Sequence, residues 1–310
     1  YASLGQLDMA VKNYEKALAI KPDYAVPQHM LNALTGNKST EPPKEYVKNL
    51  FDDFAERFDD SLVQKLDYKL PFLMKELILK LDPTRNKFKK VIDLGCGTGF
   101  CFEWLQQNKN ISNVSLVGVD LAEGMVQFAA NSRRHVDASW VCGDGEQLPF
   151  ADNSLDVMFS SLAIQWCEDL DSLMSEIKRV LKPGGKFWFS TLGPKTLHEL
   201  RSAWQAVDDY VHVNKFIAND VLKASIKKNG LSVNDWQESF EVYYYDEVRD
   251  LTKELKGIGA HNVNEGRPVG LTGKTRVLKF KQAYEEFRQH ETGKLPATYE
   301  VYYGCLAQAQ

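Results

Sequence analysis

From residue 87 onward the chain alternates two hydrophobic rhythms. Short apolar runs at 90–94, 115–119, 139–142, 155–160 and 185–191 read as strands. Segments of helical spacing at 100–107, 123–131 and 171–181 fall between them. Such alternation predicts an α/β fold on a doubly wound, mostly parallel sheet. Ligands of such sheets bind beyond the carboxyl ends of the strands, so the polar residues there carry the functional question.

Outside that stretch the rhythm changes. Lys44 to Lys80 reads as helices with Leu50, Phe51, Phe54, Phe58 and Leu62 on one face, which either packs a core or covers a ligand as a lid. Beyond Thr191, helices are predicted near 196–209 and 217–228, and Phe240 to Tyr245 reads as a strand. Residues 246–293 look helical and loop-rich, and Tyr299 to Leu306 reads as a last strand. Two strands flanking this stretch predict a sheet-edge pair with a helical cap inserted between them. At the start, Leu4-Gly5-Gln6-Leu7-Asp8, Ala10, Tyr14, Ala17-Leu18 and Pro22 resemble half of a tetratricopeptide repeat. A half-repeat cannot bury its own face, so the pattern predicts that the chain begins inside a longer array. The expected domains are 1–36 (partial repeat), 37–86 (linker and lid helices), 87–245 (the α/β domain), 246–293 (inserted cap) and 294–310 (last strand).

Composition narrows the class. The 310 residues are 44% hydrophobic and 26% charged with a formal net charge of −4, so no excess of positive charge points to nucleic acid. No apolar run reaches the roughly 18 residues of a membrane span, and the first residues lack a signal-peptide pattern. The five cysteines, Cys96, Cys101, Cys142, Cys167 and Cys305, are odd in number and show no CxxC spacing. A reducing, cytoplasmic setting without a disulfide framework or zinc site is expected. Cys96 reads as a small residue filling a tight turn, since no His/Asp pairing supports a nucleophile.

The chemistry gathers at strand ends. Val91-Ile92-Asp93-Leu94-Gly95-Cys96-Gly97-Thr98-Gly99 is a strand running into a glycine turn and then a helix, where a ligand can approach backbone that a Cβ would block. Asp120 ends the second strand, where a carboxylate can accept from ribose hydroxyls. Asp144 ends the third, placed to accept from an adenine amino group. The fourth ends at Ser160-Ser161-Leu162, and Leu181-Lys182-Pro183-Gly184-Gly185 turns into the fifth. A nicotinamide site fits less well, because its fingerprint is GxGxxG.

The ordered set DxGCGTG, VD, GDGEQLPF and LKPGG resembles the class I S-adenosylmethionine-dependent methyltransferases. The resemblance implies a Rossmann-like sheet of seven strands with S-adenosyl-L-methionine as cofactor. It implies that Asp93, Gly95, Gly97 and Gly99 line the methionine moiety and that Asp120 holds the ribose. Leu121 and Met125 would lie beside the adenosine, Asp144 and Gly145 at the adenine edge, and Ser160 at the site's border.

A narrower likeness follows from Ser161-Leu162-Ala163-Ile164-Gln165-Trp166-Cys167, Trp204-Gln205-Ala206-Val207-Asp208, Leu255 to Ala260 with Glu265-Gly266-Arg267, and Pro296-Ala297-Thr298-Tyr299. These resemble, over about residues 88–307, the malonyl-acyl-carrier-protein O-methyltransferases of biotin synthesis. The usual biotin enzyme lacks the N-terminal repeat. The resemblance implies a malonyl group on acyl-carrier protein as substrate, with Arg267 first and Arg201 second to fix its carboxylate. Gln165 and Trp166 would border the transfer site. From Arg249 to Lys294 ten basic residues face six acidic ones, which suits an acidic carrier protein. Two alternatives stay open: methylation of another small molecule or of a protein brought by the repeat, and an assembly factor that keeps the fold.

Overall fold

The computed structural model describes residues 7–35, 43–60, 89–102, 114–257 and 274–308. Seven strands form one sheet in the order β3-β2-β1-β4-β5-β7-β6. They are β1 (Lys90–Leu94), β2 (Ser115–Asp120), β3 (Ala138–Cys142), β4 (Leu155–Ser161), β5 (Leu181–Leu192), β6 (Leu231–Tyr245) and β7 (Leu295–Gln308). β1 to β5 run parallel, while β7 lies antiparallel to β5. The described helices are α1 (Leu7–Ile20), α2 (Ala25–Thr35), α3 (Lys44–Asp59), α4 (Glu123–Ser132), α5 (Leu170–Val180), α6 (His198–Gln205), α7 (Asn219–Lys228), α8 (Val248–Gly257) and α9 (Lys274–Glu285).

Period-two alternation puts neighbouring strand residues in different cores. Ile92, Leu94, Val117, Val119, Phe187 and Phe189 join Leu173, Met174 and Ile177 of α5 and Leu222 and Ile226 of α7. Val91, Leu116 and Trp188 instead pack with Phe102, Phe159 and Cys305. A register shift between Leu155 and Val157 lets both residues stay buried in separate clusters.

Three element boundaries differ from the reading of the sequence. β5 starts at Leu181, which pairs with Leu155, so the Pro183-Gly184-Gly185 stretch lies within the strand. β6 starts nine residues before Phe240; Ser232, Val233 and Asn234 are exposed, so burial wrote no alternation there. β7 starts at Leu295, four residues before Tyr299, and with β6 forms the expected pair at that edge of the sheet. Helix residues expected at 61–80 and 103–107 lie outside the described residues.

The chain divides into two compact units: Tyr1–Val47, Lys195–Lys215 and Glu241–Tyr299 in the first; Lys48–Pro194, Phe216–Phe240 and Glu300–Gln310 in the second. In the first, α1 and α2 are joined by a turn containing Pro22, and Ala10 and His29 are buried. Trp204 is stacked between His212 (3.8 Å between ring centroids) and Phe280 (4.2 Å). Asp208 accepts from His212 at 2.8 Å and pairs with Arg276. The buried Glu199 accepts from the backbone N–H and hydroxyl of Thr298.

Candidate functional site

The second unit carries the predicted glycine turn. Gly95, Gly97 and Gly99 have φ of +73°, +52° and +75°, the left-handed region that a side chain disfavours. The N–H groups of Gly95 and Cys96 donate to Val119 O at 2.8 and 3.0 Å, which ties the turn to β2. Space is short around it. A Cβ on Gly95 would stand 2.1 Å from the Ala163 Cβ, and one on Gly99 would stand 2.3 Å from the Trp140 ring. Cys96 is buried, and burial pushes its thiol well above the usual range, so it fills the turn and carries no thiolate.

Two polar side chains are buried at the strand ends without partners. Among the described residues, neither carboxylate oxygen of Asp93 nor the hydroxyl of Ser160 has a hydrogen-bond partner. Burial, with the nearby Asp120 adding to it, raises the Asp93 carboxyl well above the ordinary range. A buried, unsatisfied carboxylate is costly, and a cationic ligand group supplies what it lacks.

Asp120 closes β2. Its Oδ2 accepts from Gly97 N at 2.8 Å and its Oδ1 from Ala122 N at 2.9 Å. Burial outweighs those bonds and lifts its carboxyl to about 6. Leu121 follows, its carbonyl accepting from the Cys142 thiol at 3.5 Å. Met125 is buried on α4 with Ala55, Ala122 and the rings of Phe51, Phe54 and Phe58. Asp144 Oδ1 accepts from Glu146 N at 2.9 Å, a local turn rather than a helix cap. Gly145 sits against Leu94 and Leu173, where a Cβ would meet both at 3.3 Å. Arg179 secures this loop by donating to the carbonyls of Leu148 and Phe150 at 2.9 and 2.7 Å.

Beyond β4, Leu162 has φ +51°, a strained value for a bulky residue. This turn sets Ala163 against Gly95 and begins the short helix Ile164–Trp166. Gln165 donates to Leu162 O at 2.6 Å and accepts from the Thr191 hydroxyl at 3.3 Å. Trp166 meets Phe51 edge-on at 5.3 Å, and a Cβ on Gly97 would lie 3.4 Å from the Phe58 ring. The aromatic face of α3 thus lies along the glycine turn.

Asp93, Gly95, Gly97, Gly99, Asp120, Gln165 and Trp166 are therefore linked around one turn, with Leu121 and Met125 following Asp120 at the start of α4. Arg267 lies outside the described residues. Arg201 belongs to the first unit, where it donates to Thr196 O at 3.2 Å and burial lowers its pKa. Sequence reasoning missed Asp52, Asp59, Trp140 and Ala163, whose roles depend on distant partners. Trp140 had a signal in Gly118, where a Cβ would stand 2.6 Å from the indole ring.

A family profile described as "Methyltransferase domain" matches residues 92–189, the span from β1 through most of β5. The chain is 38% identical to the malonyl-[acyl-carrier protein] O-methyltransferase of Methylovorus sp. (strain MP688), over 84% of this chain and 88% of that one. It is 41% identical to the biotin biosynthesis bifunctional protein BioHC of Cellvibrio japonicus (strain Ueda107), over 92% of this chain. It spans 55% of that relative's length. The crystal structure of the [4+2]-cyclase SpnF shares the fold with a TM-score of 0.56 at 17% identity, covering 88% of this chain and 99% of that one.

Sheet order and glycine turn define the class I methyltransferase architecture. Within it, the chain belongs to the malonyl-[acyl-carrier protein] O-methyltransferase family.

S-adenosylmethionine is the cofactor of this class, and the donor set fits it. The cofactor's ammonium and sulfonium are cationic, and its ribose offers two hydroxyls. Against these stand an unsatisfied carboxylate at Asp93 and a second carboxylate, Asp120, at the end of β2. Among the described residues no cluster of His, Cys, Asp or Glu suits a metal ion, and no helix is long and apolar enough to cross a membrane.

Proposed function

We propose that the chain methylates the free carboxylate of a malonyl group carried on acyl-carrier protein. The observation that carries this reading is the 38% identity over 88% of a relative bearing that name. Fold alone does not reach so far, since the same architecture serves a cyclase.

The cofactor supplies an electrophilic methyl on its sulfonium. Asp93 binds the cofactor's ammonium, the glycine turn admits its methionine backbone, and Asp120 accepts from the ribose hydroxyls with its remaining lone pairs. Leu121 and Met125 flank the adenosine, Asp144 and Gly145 meet the adenine edge, and Ser160 offers a hydroxyl beneath the turn. Gln165 and Trp166 border the transfer site, and the faces of Phe51, Phe58 and Trp166 favour a sulfonium over a neutral thioether.

The malonyl carboxylate, with an ordinary pKa near 4, is ionised at neutral pH, so no general base is asked of the chain. The chain's own contribution would be to position that carboxylate and to exclude water. Arg267, with Arg201 second, is the proposed carboxylate anchor.

The finer features belong to the same proposal. α1 and α2, a helical pair around Pro22, are read as part of a tetratricopeptide array that recruits a protein partner. Five cysteines, odd in number and without CxxC spacing, suit a reducing, cytoplasmic setting.

The test is direct. Purified protein, malonyl-acyl-carrier protein and methyl-labelled cofactor should give a base-labile methyl ester. Labelling of other carboxylates or of proteins, with none on the malonyl carrier, overturns this substrate assignment.

A further inference from the structure

We infer that Asp52 and Asp59 of α3 are positioning residues of the cofactor site, holding the glycine turn and the start of α4 from a distant part of the sequence. The inference rests on the cofactor reading above.

Thr98, buried inside the glycine turn, donates its hydroxyl to Asp59 Oδ1. The other oxygen of Asp59 pairs with Arg133, at the far end of α4. One carboxylate thus ties the turn after β1 to the end of α4. Asp52 works at the other end. The N-cap position of α4 is Ala122, which has no side-chain acceptor to offer. Asp52 Oδ1 instead accepts from Gly124 N at 2.6 Å, supplying the missing cap from α3. Gly124 makes that approach possible, since a Cβ there would meet the Asp52 backbone at 3.1 and 3.2 Å.

The two acids are seven residues apart, two helical turns and about 10 Å along α3, on the same face. Between them lie Phe54, Ala55 and Phe58; Phe54 and Phe58 pack on the Ala55–Ala122–Met125 cluster. Pinned at its middle and at its C-terminal end, α3 fixes the backbone that carries Gly97, Asp120 and Met125. None of these acids needs to touch the cofactor. Freed of them, the turn and the helix start sample other positions, and binding must select the competent one.

The experiment uses the full chain with S-adenosylmethionine as the calorimetric probe, on Asp59→Ala, Thr98→Val, the double variant, Thr98→Ser and Asp52→Ala. Asp59→Ala, Thr98→Val and Asp52→Ala are each expected to weaken cofactor binding by about tenfold, the size of a charge-assisted hydrogen bond's effect. The double variant should be no weaker than its weaker parent, and Thr98→Ser should restore affinity. With saturating cofactor, kcat should stay within about twofold, a split that plain destabilisation does not produce. Amide exchange at residues 97–99 of the cofactor-free protein should quicken. If Asp59→Ala does not fold, Thr98→Val with its serine rescue reads the same bond. Unchanged affinity with only a lowered melting temperature, or additive losses in the double variant, overturns the inference. A wild-type protein that binds no cofactor overturns the cofactor reading beneath it.

Discussion

Gly95 lies so close to Ala163 that the glycine turn and the strained Leu162 turn share a single contact. A methyl at 95 would collide with the Ala163 Cβ and sit at φ +73°. Gly95→Ala should therefore reduce cofactor affinity by about a hundredfold or more, through backbone strain and displacement of the turn. Ala163→Gly in that background should recover only part of the loss, because the positive φ remains. Calorimetric titration with cofactor checks both.

Asp93 sets stability against function. Its carboxylate is buried without partners among the described residues, and ionising it opposes folding. Asp93→Asn removes that cost while keeping the shape. The cofactor-free variant is expected to melt roughly 2 °C or more above wild type at pH 8. Cofactor affinity should fall at least about tenfold. Thermal melts with and without cofactor would show the two effects with opposite signs.

The pH dependence follows from Asp120. Its folded pKa of about 6 lies above the ordinary 3.8 because burial dominates. Protonation therefore stabilises the cofactor-free fold fully below about pH 4, and that contribution is lost as pH rises through 6. Cofactor binding runs the other way, since the ionised carboxylate accepts from the ribose. Affinity should rise through pH 6 as Asp120 ionises. In Asp120→Asn the step near pH 6 should disappear along with most of the affinity.

In the first unit, Trp204 is held between two rings, one of them on α9. Trp204→Ala should destabilise that unit by about 2–4 kcal/mol. Limited proteolysis should then cut between residues 195 and 215 first, while the glycine turn's amide protection stays near wild type.

Much of the sheet was legible because burial wrote it into the sequence. β1 and β2 are covered on both faces, so their residues are apolar and the acids at their ends stand out. β6 was half missed, because its first residues face solvent and alternate nothing. The glycine turn and the acid that closes β2 were readable from local spacing, whereas the contacts that α3 makes to them were not. Asp59 meets Thr98 and Arg133 across 39 and 74 residues, and Asp52 meets Gly124 across 72. No local pattern encodes such pairs. The motif at Trp204 to Asp208 was legible as a signature, yet its stacked rings and its pairing with Arg276 needed the fold.

Gly99 and Gly118 leave a flat space that the indole of Trp140 fills, directly beneath the turn. Light absorbed by that ring is emitted from within a few ångströms of the glycine turn proposed to hold the cofactor. Trp140 is thus a built-in optical reporter. Subtracting the emission of Trp140→Phe from that of the native chain isolates a signal that follows loading in real time, without any added label.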